Sequence, residues 1–352
     1  MPNRPGSPTP PPPRRRLGVE QYVEGVLARD RGVLARVITL IESRRPDDRE
    51  TARRVLDALV PHSGRSIRLG ITGVPGAGKS TLIEAMGMNL LDAGRRVAVL
   101  AIDPSSRLTG GSILGDKTRM PRLSTRDDAY IRPSPTGSTL GGVAGHTREA
   151  MIACEAAGFD VVIVETVGVG QSETTVADMV DTFLAVLIAG AGDELQGIKR
   201  GLVEMVDLLA INKADGENRR PVERAVAQYR NAIRLLHPPE SPWIPPVLPC
   251  SAREGSGLDA LWEQVLAHRQ ALERAGLLSE KRRSQAVRWM WDLVDDSVRR
   301  MLREGPGLRD LAEGLEARVR DGELTASTAA DRLLSALGLS ADRSAVPAFP
   351  PS

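Results

Sequence analysis

Short, nearly continuous apolar runs recur between residues 65 and 256, and stretches with helical spacing lie between most of them. Six runs are predicted to be strands: 67–72, 97–102, 161–165, 183–188, 208–211 and 246–250. Uniformly apolar strands that alternate with helices are typical of a parallel sheet covered on both faces. The pattern therefore predicts an α/β fold with a mostly parallel sheet, helices on both faces and ligands beyond the carboxyl ends of the strands.

Helical regions flank this central segment on both sides. In 17–64 apolar residues recur every three or four positions, which predicts an N-terminal helical extension. The same spacing returns in 257–340, and it includes one apolar stripe made by Val287, Met290, Trp291, Val294, Val298 and Met301. The stripe is typical either of a helix packed into a core or of a self-association face. The Pro- and Arg-rich segment 1–16 and the Pro-rich segment 341–352 are predicted to be tails that do not pack.

Composition narrows the class of protein. Hydrophobic residues make up 41% of the chain, which indicates a folded protein, and 47 basic against 45 acidic residues leave a net charge of +2, which disfavours a dedicated nucleic-acid binder. The two cysteines, Cys154 and Cys250, are too few for a disulfide scaffold or a four-cysteine zinc site, and we expect buried thiols. The longest apolar run is about half of the roughly 20 residues that a membrane span needs. No apolar signal region begins the chain, so a soluble, cytoplasmic protein with no membrane partner is expected.

A phosphate-binding motif follows the first predicted strand. Residues 73–80 match G-x-x-x-x-G-K-[ST] and precede a helical segment, which is the context that the motif requires. Its glycines let backbone amides approach phosphate groups, and the helix N-terminus favours negative charge. Lys79 is predicted to reach the β- and γ-phosphates, and the Ser80 hydroxyl is predicted to bind Mg²⁺. The predicted nucleotide-binding residues of this segment are Gly73, Val74, Pro75, Gly76, Ala77, Gly78, Lys79, Ser80 and Thr81.

Three carboxylates are candidates for the metal and water chemistry. Asp103 follows the strand 97–102, Glu165 ends the strand 161–165, and Asp116 lies in the polar loop between them. Carboxylates at the carboxyl ends of strands face the phosphate site, and they suit Mg²⁺. A helix cap or a solvated loop acid is the alternative for each, and it carries most weight for Asp116. The predicted catalytic residues are Lys79, Asp103, Asp116 and Glu165, and the predicted metal ligands are Ser80, Asp103, Asp116 and Glu165.

A base-recognition motif follows the strand 208–211. Asn212, Lys213 and Asp215 match N-K-x-D, in which the aspartate accepts hydrogen bonds from N1–H and the exocyclic amine of guanine. Adenine offers neither donor there, so a buried carboxylate left without its partners penalises the wrong base. Ser251 and Ala252 follow the last predicted strand, where a loop amide contacts the guanine oxygen. The sequence therefore predicts GTP or GDP with Mg²⁺ as cofactors, and ATP is the alternative.

These segments together resemble the MeaB/ArgK GTPases of the SIMIBI class of P-loop proteins, over about residues 19–337. The most specific stretches are 70–81, 101–106 and 159–173, in which a glutamate, here Glu165, stands where most GTPases have an aspartate. The resemblance implies a GTPase chaperone of adenosylcobalamin-dependent methylmalonyl-CoA mutase. Such a protein gates cofactor delivery and protects the mutase from inactivation.

The resemblance also implies Mg²⁺ contacts at the four metal candidates, a homodimer interface on the C-terminal helices, and a mobile loop at 190–200 in which Lys199 reaches the nucleotide. An ordinary surface loop is the alternative for 190–200. Gly145 and His146 depart from the family pattern, since relatives usually carry basic residues there. Segments 103–120, 166–172 and 190–200 are the predicted nucleotide-dependent switches. Intrinsic hydrolysis is expected to be slow and to rise with the partner.

Three other functions are alternatives to this interpretation. A nickel-delivery GTPase would carry a Cys/His motif, but the four histidines, residues 62, 146, 237 and 268, are widely separated and neither cysteine has a neighbouring ligand. An ATP-dependent kinase of amino-acid transport conflicts with the guanine motif. A non-enzymatic binding module conflicts with the complete set of carboxylates.

Overall fold

The computed structural model describes residues 16–102, 120–133, 140–166, 172–190, 200–238 and 240–339. The chain forms two compact units, Met1–Arg282 and Arg283–Ser352. The segment boundaries at 64/65 and 256/257 stay a prediction. Apart from residue 16, the two predicted tails lie outside the described residues. Arg16 itself forms an ion pair of 2.8 Å with Asp48.

A seven-stranded sheet lies at the centre of the first unit. Its strands are β1 (Ile67–Gly73), β2 (Val97–Ile102), β3 (Ala129–Arg132), β4 (Val161–Thr166), β5 (Thr182–Ile188), β6 (Leu208–Asn212) and β7 (Val247–Pro249). Their order is β3-β2-β4-β1-β5-β6-β7, and every neighbouring pair is parallel. The predicted α/β fold with a parallel sheet is confirmed. The edge strand β3 was not predicted.

Helices cover both faces of this sheet. The described residues form α1 (Val19–Leu27), α2 (Arg31–Ile41), α3 (Pro46–Leu59), α4 (Lys79–Asp92), α5 (Pro121–Ser124), α6 (Leu140–Ala156), α7 (Ser172–Ala177), α8 (Arg200–Met205), α9 (Arg219–Leu236), α10 (Leu258–Arg274), α11 (Leu277–Glu304), α12 (Leu308–Arg320) and α13 (Ala326–Ala336). Within the described part of the chain, none of these helices is both long enough and apolar enough to cross a bilayer.

The near-continuous apolar character of the strands follows from burial on both faces. On β4, Val162 and Val164 face a core that includes residues of α2, α3 and α6. The alternate residues Val161 and Ile163 face a second core, which includes residues of α4 and α10. The N-terminal helices pack on the sheet through α6, which contacts both α2 and α3. They therefore extend the first core.

The second unit is helical, and α12 packs against α13 within it. The apolar stripe on α11 is largely exposed: the exposed fraction is 55% for Val287, 59% for Trp291 and 52% for Met301. The stripe is therefore not part of a core formed by the described residues. Packing of the stripe into a core is not observed among the described residues of the second unit.

Candidate functional site

The carboxyl ends of the neighbouring strands β4 and β1, and of the neighbouring strands β6 and β7, lie along one edge of the sheet, with β5 between the two pairs. The register pairs Ile71 with Glu165 and Ile211 with Pro249, so the segments that leave these strands begin at similar heights. The predicted phosphate, metal and base motifs follow these strands. The topology thus gathers into one place segments that are up to about 180 residues apart in the chain.

Glycine is required on both sides of the phosphate-binding loop. Gly73 ends β1 with φ +145°, and a Cβ atom there would lie 2.0 Å from the carbonyl oxygen of Val186 on β5. Gly78 precedes α4 with φ +87°, and a Cβ atom there would lie 2.8 Å from Asn212 Nδ2. The loop therefore turns close to the backbone of β5 and to β6. It leads directly into the N-terminus of α4, where free amide groups and the helix dipole favour an anion.

Lys79 is the first residue of α4, and its side chain folds back over the loop. The ammonium group donates hydrogen bonds to the carbonyl oxygens of Gly73, at 2.8 Å, and Val74, at 3.4 Å. The residue is 9% exposed. Lys79 thus places a positive charge inside the loop, where phosphate oxygens would compete with these carbonyl groups for its protons.

Ser80 and Glu165 meet across the sheet edge. The Ser80 hydroxyl donates a hydrogen bond of 3.0 Å to Glu165 Oε1. Glu165 lies next to last on β4, between β1 and β2, and it is 3% exposed. A hydroxyl and a carboxylate are oxygen ligands that suit Mg²⁺, so this pair fits one side of a magnesium site. The other two metal candidates, Asp103 and Asp116, lie outside the described residues.

A threonine pair that no sequence motif indicated lies beside this site. Thr166 Oγ1 donates a hydrogen bond of 2.9 Å to Thr72 Oγ1, and both side chains are fully buried. The bond joins the last residue of β4 to β1, one residue beyond Glu165 and one residue before Gly73. It therefore fixes the spacing between the carboxylate and the phosphate-binding loop.

Asn212 connects the phosphate-binding loop to the loop that follows β7. Its Nδ2 donates to the carbonyl oxygen of Ala77 at 2.7 Å, and its Oδ1 accepts from the backbone amide of Ala252 at 3.0 Å. The side chain is buried. Asn212 is thus committed to contacts within the protein. The amide of Ala252, a predicted nucleotide contact, is engaged in one of them.

Asp215 lies at the other end of the base motif and is half-buried. The Ser251 hydroxyl donates to Asp215 Oδ2, and the same hydroxyl oxygen accepts from the amide of Glu254 at 3.2 Å. Lys213 adopts a left-handed conformation with φ +64°, and it is exposed. The turn at Lys213 redirects the chain so that Asp215 reaches Ser251. The carboxylate retains further acceptor capacity, since a carboxylate has about four lone-pair sites.

Both thiols are buried, as expected. Burial raises the pKa of Cys250 to about 12 and raises the pKa of Cys154 as well, so both groups stay protonated at neutral pH. Within the described ranges, no group of three or more His, Cys, Asp or Glu residues is arranged to hold a metal ion. Asp103 and Asp116 lie outside these ranges.

The predicted switch segments fall largely on parts of the chain outside the described residues. Most of the switch segment 103–120, residues 167–171 of the second switch, and 191–199 with Lys199 lie outside the described residues. Gly145 and His146 are described: they lie on α6, and His146 lines a small space beside Ala101 and Arg132, near the carboxyl ends of β2 and β3.

Comparison with known proteins gives consistent matches. The family model described as "Methylmalonyl Co-A mutase-associated GTPase MeaB" matches residues 34–306. A putative GTPase of Caulobacter vibrioides is 57% identical over 323 residues, which cover 92% of this chain and 99% of that protein. The mitochondrial methylmalonic aciduria type A homolog of Mus musculus is 44% identical, over 90% of this chain and 79% of that protein.

A solved structure agrees with this assignment. The crystal structure named LAO/AO transport system kinase superposes with a TM-score of 0.73 at 38% identity, over 91% of this chain and 97% of that one. The predicted resemblance is confirmed, because the family model spans most of the chain and the relatives match it over nine-tenths of its length. The chain belongs to the MeaB family of P-loop GTPases.

Proposed function

We propose that the protein is a Mg²⁺-dependent, GTP-hydrolysing switch of the cytoplasm that assists an adenosylcobalamin-dependent methylmalonyl-CoA mutase. It gates cofactor loading and protects the mutase from inactivation. The observation that carries the nucleotide part is the meeting of three segments at one sheet edge: the phosphate-binding loop, the Ser80–Glu165 pair and the Asp215–Ser251 pair. The partner part rests on the family.

Guanine selectivity is assigned to Asp215. Its carboxylate lies beside Ser251, at the end of the base motif, and it accepts but does not donate hydrogen bonds when ionised. Guanine presents two N–H donors on one edge, and adenine does not present that pair. An ATP-dependent kinase would leave this carboxylate without its donors, and the proposal therefore favours GTP.

Phosphoryl transfer to water needs positioning and charge stabilisation more than covalent chemistry. Lys79 is proposed to release the carbonyl groups of Gly73 and Val74 and to donate to phosphate oxygens. Ser80 and Glu165 are proposed to hold Mg²⁺ together with Asp103 and Asp116. A bound Mg²⁺ neutralises charge that develops on the phosphate oxygens. The Thr72–Thr166 bond keeps Glu165 at a fixed distance from the loop.

The magnesium role is tested by a pair of variants at one position. Ser80→Ala removes the hydroxyl, whereas Ser80→Thr keeps it. We expect the Mg²⁺ concentration for half-maximal GDP affinity to rise at least about tenfold in Ser80→Ala and to change little in Ser80→Thr. Glu165→Gln is expected to behave as Ser80→Ala does, with slower hydrolysis at saturating GTP. If Ser80→Ala, Ser80→Thr and Glu165→Gln all showed the same Mg²⁺ dependence as the wild type, neither Ser80 nor Glu165 would belong to the metal site.

The partner is inferred from the family description, which names association with methylmalonyl-CoA mutase, and from the mouse relative, which is named for methylmalonic aciduria. A slow GTPase acts through a difference between its GTP and GDP states that a partner reads. By linkage, a mutase that prefers the GTP state must raise GTP affinity by the same factor. The effect of the nucleotide on mutase affinity and the effect of the mutase on nucleotide affinity therefore measure the same coupling free energy.

The experiment titrates purified methylmalonyl-CoA mutase against the protein loaded with a GTP analogue or with GDP, while hydrolysis is followed in parallel. We expect affinity to depend on the nucleotide and hydrolysis to accelerate with the mutase. Asp215→Asn, loaded so that the same fraction of the protein carries nucleotide, is the control for effects that depend only on how much nucleotide is bound. Absence of a complex in both states, with no change in rate, would reject the chaperone role and leave the GTPase assignment standing.

A homodimer is proposed for the exposed stripe on α11. A large exposed apolar patch on a soluble protein marks an interaction surface, and the stripe carries Trp291, Met290 and Val294, which are 59%, 49% and 43% exposed. The family resemblance points to a second copy of the chain as the occupant. A nickel-delivery role is not favoured, because the described residues hold no cluster of metal ligands.

A further inference from the structure

A second concave site lies at the opposite edge of the sheet. A cavity of about 590 Å³ opens where the strands begin, and its lining includes Ile67 at the start of β1 and Phe159 before β4. Ile67 and Gly73 are the two ends of β1, so roughly 20 Å of strand separates the cavity from the phosphate-binding loop. The nucleotide chemistry proposed above uses none of this surface.

Five of the residues that line the cavity are basic, and they come from separate segments of the chain. These basic residues are Arg29 after α1, His62 and Arg65 before β1, Arg95 after α4, and Arg269 on α10. All belong to the first unit. These segments are far apart in sequence, and the fold brings four arginine side chains and His62 to one depression.

The acidic residues of the lining are already engaged. Glu155 accepts two hydrogen bonds from the guanidinium of Arg68, at 2.7 and 2.9 Å. Asp160 accepts the backbone amide of Arg96 at 2.7 Å. The third, Glu273, accepts from Arg269 Nε at 2.8 Å. Glu155 and Glu273 are therefore each paired with an arginine, and Asp160 is the remaining carboxylate of the lining.

Arg29, Arg65 and Arg95 form no ion pair with any described carboxylate. Arg29 also takes a left-handed backbone conformation, with φ +65°, which a non-glycine residue rarely adopts. Its side chain reaches Gly158, where a Cβ atom would lie 3.1 Å from Arg29 Nε and 3.4 Å from Arg96 Nη1. Two guanidinium groups thus converge on a position that glycine keeps open.

This convergence of like charges has an electrostatic cost. Burial lowers the pKa of Arg96, and the neighbouring charge of Arg29 lowers it further, against smaller opposing effects of Asp160 and Asp128. Cations near helix C-termini offset the helix dipole, which accounts for part of the arrangement. The carbonyl groups of Ala157 and Gly158 after α6, however, already accept from Arg96 Nη1, at 2.6 and 3.2 Å. The positive charges of Arg29, Arg65 and Arg95 are not used in these contacts.

We propose that this cavity binds a small organic anion that carries two phosphate groups. Guanidinium groups match phosphate oxygens in geometry and charge, and several of them surround one depression here. The volume lies within the range of small-molecule sites, and Leu27, Ile67 and Leu266 supply an apolar wall for a carbon skeleton. One phosphate group of this anion, placed beside Gly158, would relieve the repulsion between Arg29 and Arg96.

The test uses the full chain saturated with GDP and Mg²⁺, so that the phosphate-binding loop is filled. Fructose 1,6-bisphosphate is the probe, titrated by calorimetry at fixed ionic strength. We expect binding to one site per chain, and at least about fivefold weaker binding in Arg65→Gln and in Arg95→Gln. Arg224→Gln removes the same charge from an exposed position on α9 and should leave the affinity unchanged. Thermal unfolding checks that each variant is folded.

Three results would overturn the proposal. The first is absence of binding by the GDP-saturated protein. The second is equal weakening by Arg224→Gln, which would indicate general attraction of anions to the protein. The third is binding of an acidic hexaglutamate peptide, but not of the bisphosphate, which would assign the cavity to a protein partner.

Discussion

Asp215 presents one carboxylate oxygen to the Ser251 hydroxyl and keeps acceptor capacity for a base. Replacing it by asparagine exchanges an acceptor for a donor on one side of the group. We expect Asp215→Asn to weaken GDP binding at least about tenfold, because each lost charged hydrogen bond is worth about 1.5–3 kcal/mol. Xanthosine diphosphate, whose 2-oxo group needs a donor, should become the better ligand.

Calorimetry with both diphosphates measures this exchange. Asp57→Asn, on the exposed surface of α3, makes the same chemical change away from the site. It should alter neither affinity. A variant Asp215→Asn that still preferred GDP as the wild type does would show that the base is read elsewhere.

A comparison of two glycines in the phosphate-binding loop distinguishes a need for space from a need for a positive φ angle. Both Gly73 and Gly76 have positive φ, but a Cβ atom at Gly73 would meet the Val186 carbonyl oxygen at 2.0 Å, whereas one at Gly76 meets nothing within 4 Å. Gly76→Ala should cost about 1–2 kcal/mol of stability, the usual penalty for a left-handed residue. Gly73→Ala must also separate β1 from β5, so we expect a larger loss, with GDP binding abolished.

Urea unfolding and GDP titration of the two variants give this comparison. Similar losses in both would mean that β1 and β5 adjust without cost.

The predictable part of the site is the part that sequence motifs encode locally. Lys79 and Ser80 follow from the spacing of the glycines, and Glu165 follows from its place at the end of an apolar strand. The Thr72–Thr166 bond could not be predicted, because a hydroxyl on a buried strand gives no signal of its partner. The contacts of Asn212 with two other loops likewise depend on the order of strands, which the sequence did not specify.

At the scale of elements, five strands were predicted because burial on both faces makes them almost continuously apolar, and the three-residue strand β7 was predicted within the apolar run 246–250. β3 was missed because its apolar run has only three residues, 129–131, and is followed by the charged residue Arg132 at the sheet edge. Arg132 forms an ion pair with Glu42, next to the end of α2. The edge strand is therefore held partly by a contact with an N-terminal helix, and apolar periodicity carries no information about such a contact.

The packing of α6 against α3 includes a carboxyl group with an unusual pKa. Burial raises the pKa of Glu149 to about 7, and Arg49 on α3 opposes this only in part. A raised folded-state pKa means that the ionised group destabilises the fold: the cost is absent below the unfolded value of 4.5 and grows as pH rises towards 7. Glu149→Gln should therefore raise the free energy of unfolding by up to about 3 kcal/mol at pH 8.

The gain in Glu149→Gln should shrink towards zero at pH 5. Urea unfolding at pH 5, 6.5 and 8 provides the profile. Glu223→Gln, at an exposed position on α9, is the matched control and should show no such trend. A gain that stayed constant with pH would place the cause in packing rather than in ionisation.

At the scale of the whole molecule, the α11 stripe predicts the oligomeric state. Trp291→Lys puts a charge at its centre, whereas Asp292→Lys puts the same side chain on the neighbouring residue, about 100° around the helix. We expect a dimer for the wild type and for Asp292→Lys, and a monomer for Trp291→Lys, because a buried unpaired charge costs several kcal/mol. Light scattering over a concentration series measures this. A wild-type monomer throughout the series would assign the stripe to another partner.

The two hydrogen bonds of Asn212 have a consequence for redesign. Its single amide group is shared by the turn that surrounds phosphates and by the turn after β7, so these two turns do not behave as interchangeable modules. Grafting an adenine-reading loop in place of residues 212–215 would remove the support of Ala77 at the same time. A design for a new base preference must therefore supply another donor to the carbonyl oxygen of Ala77, or change the base contact while retaining Asn212.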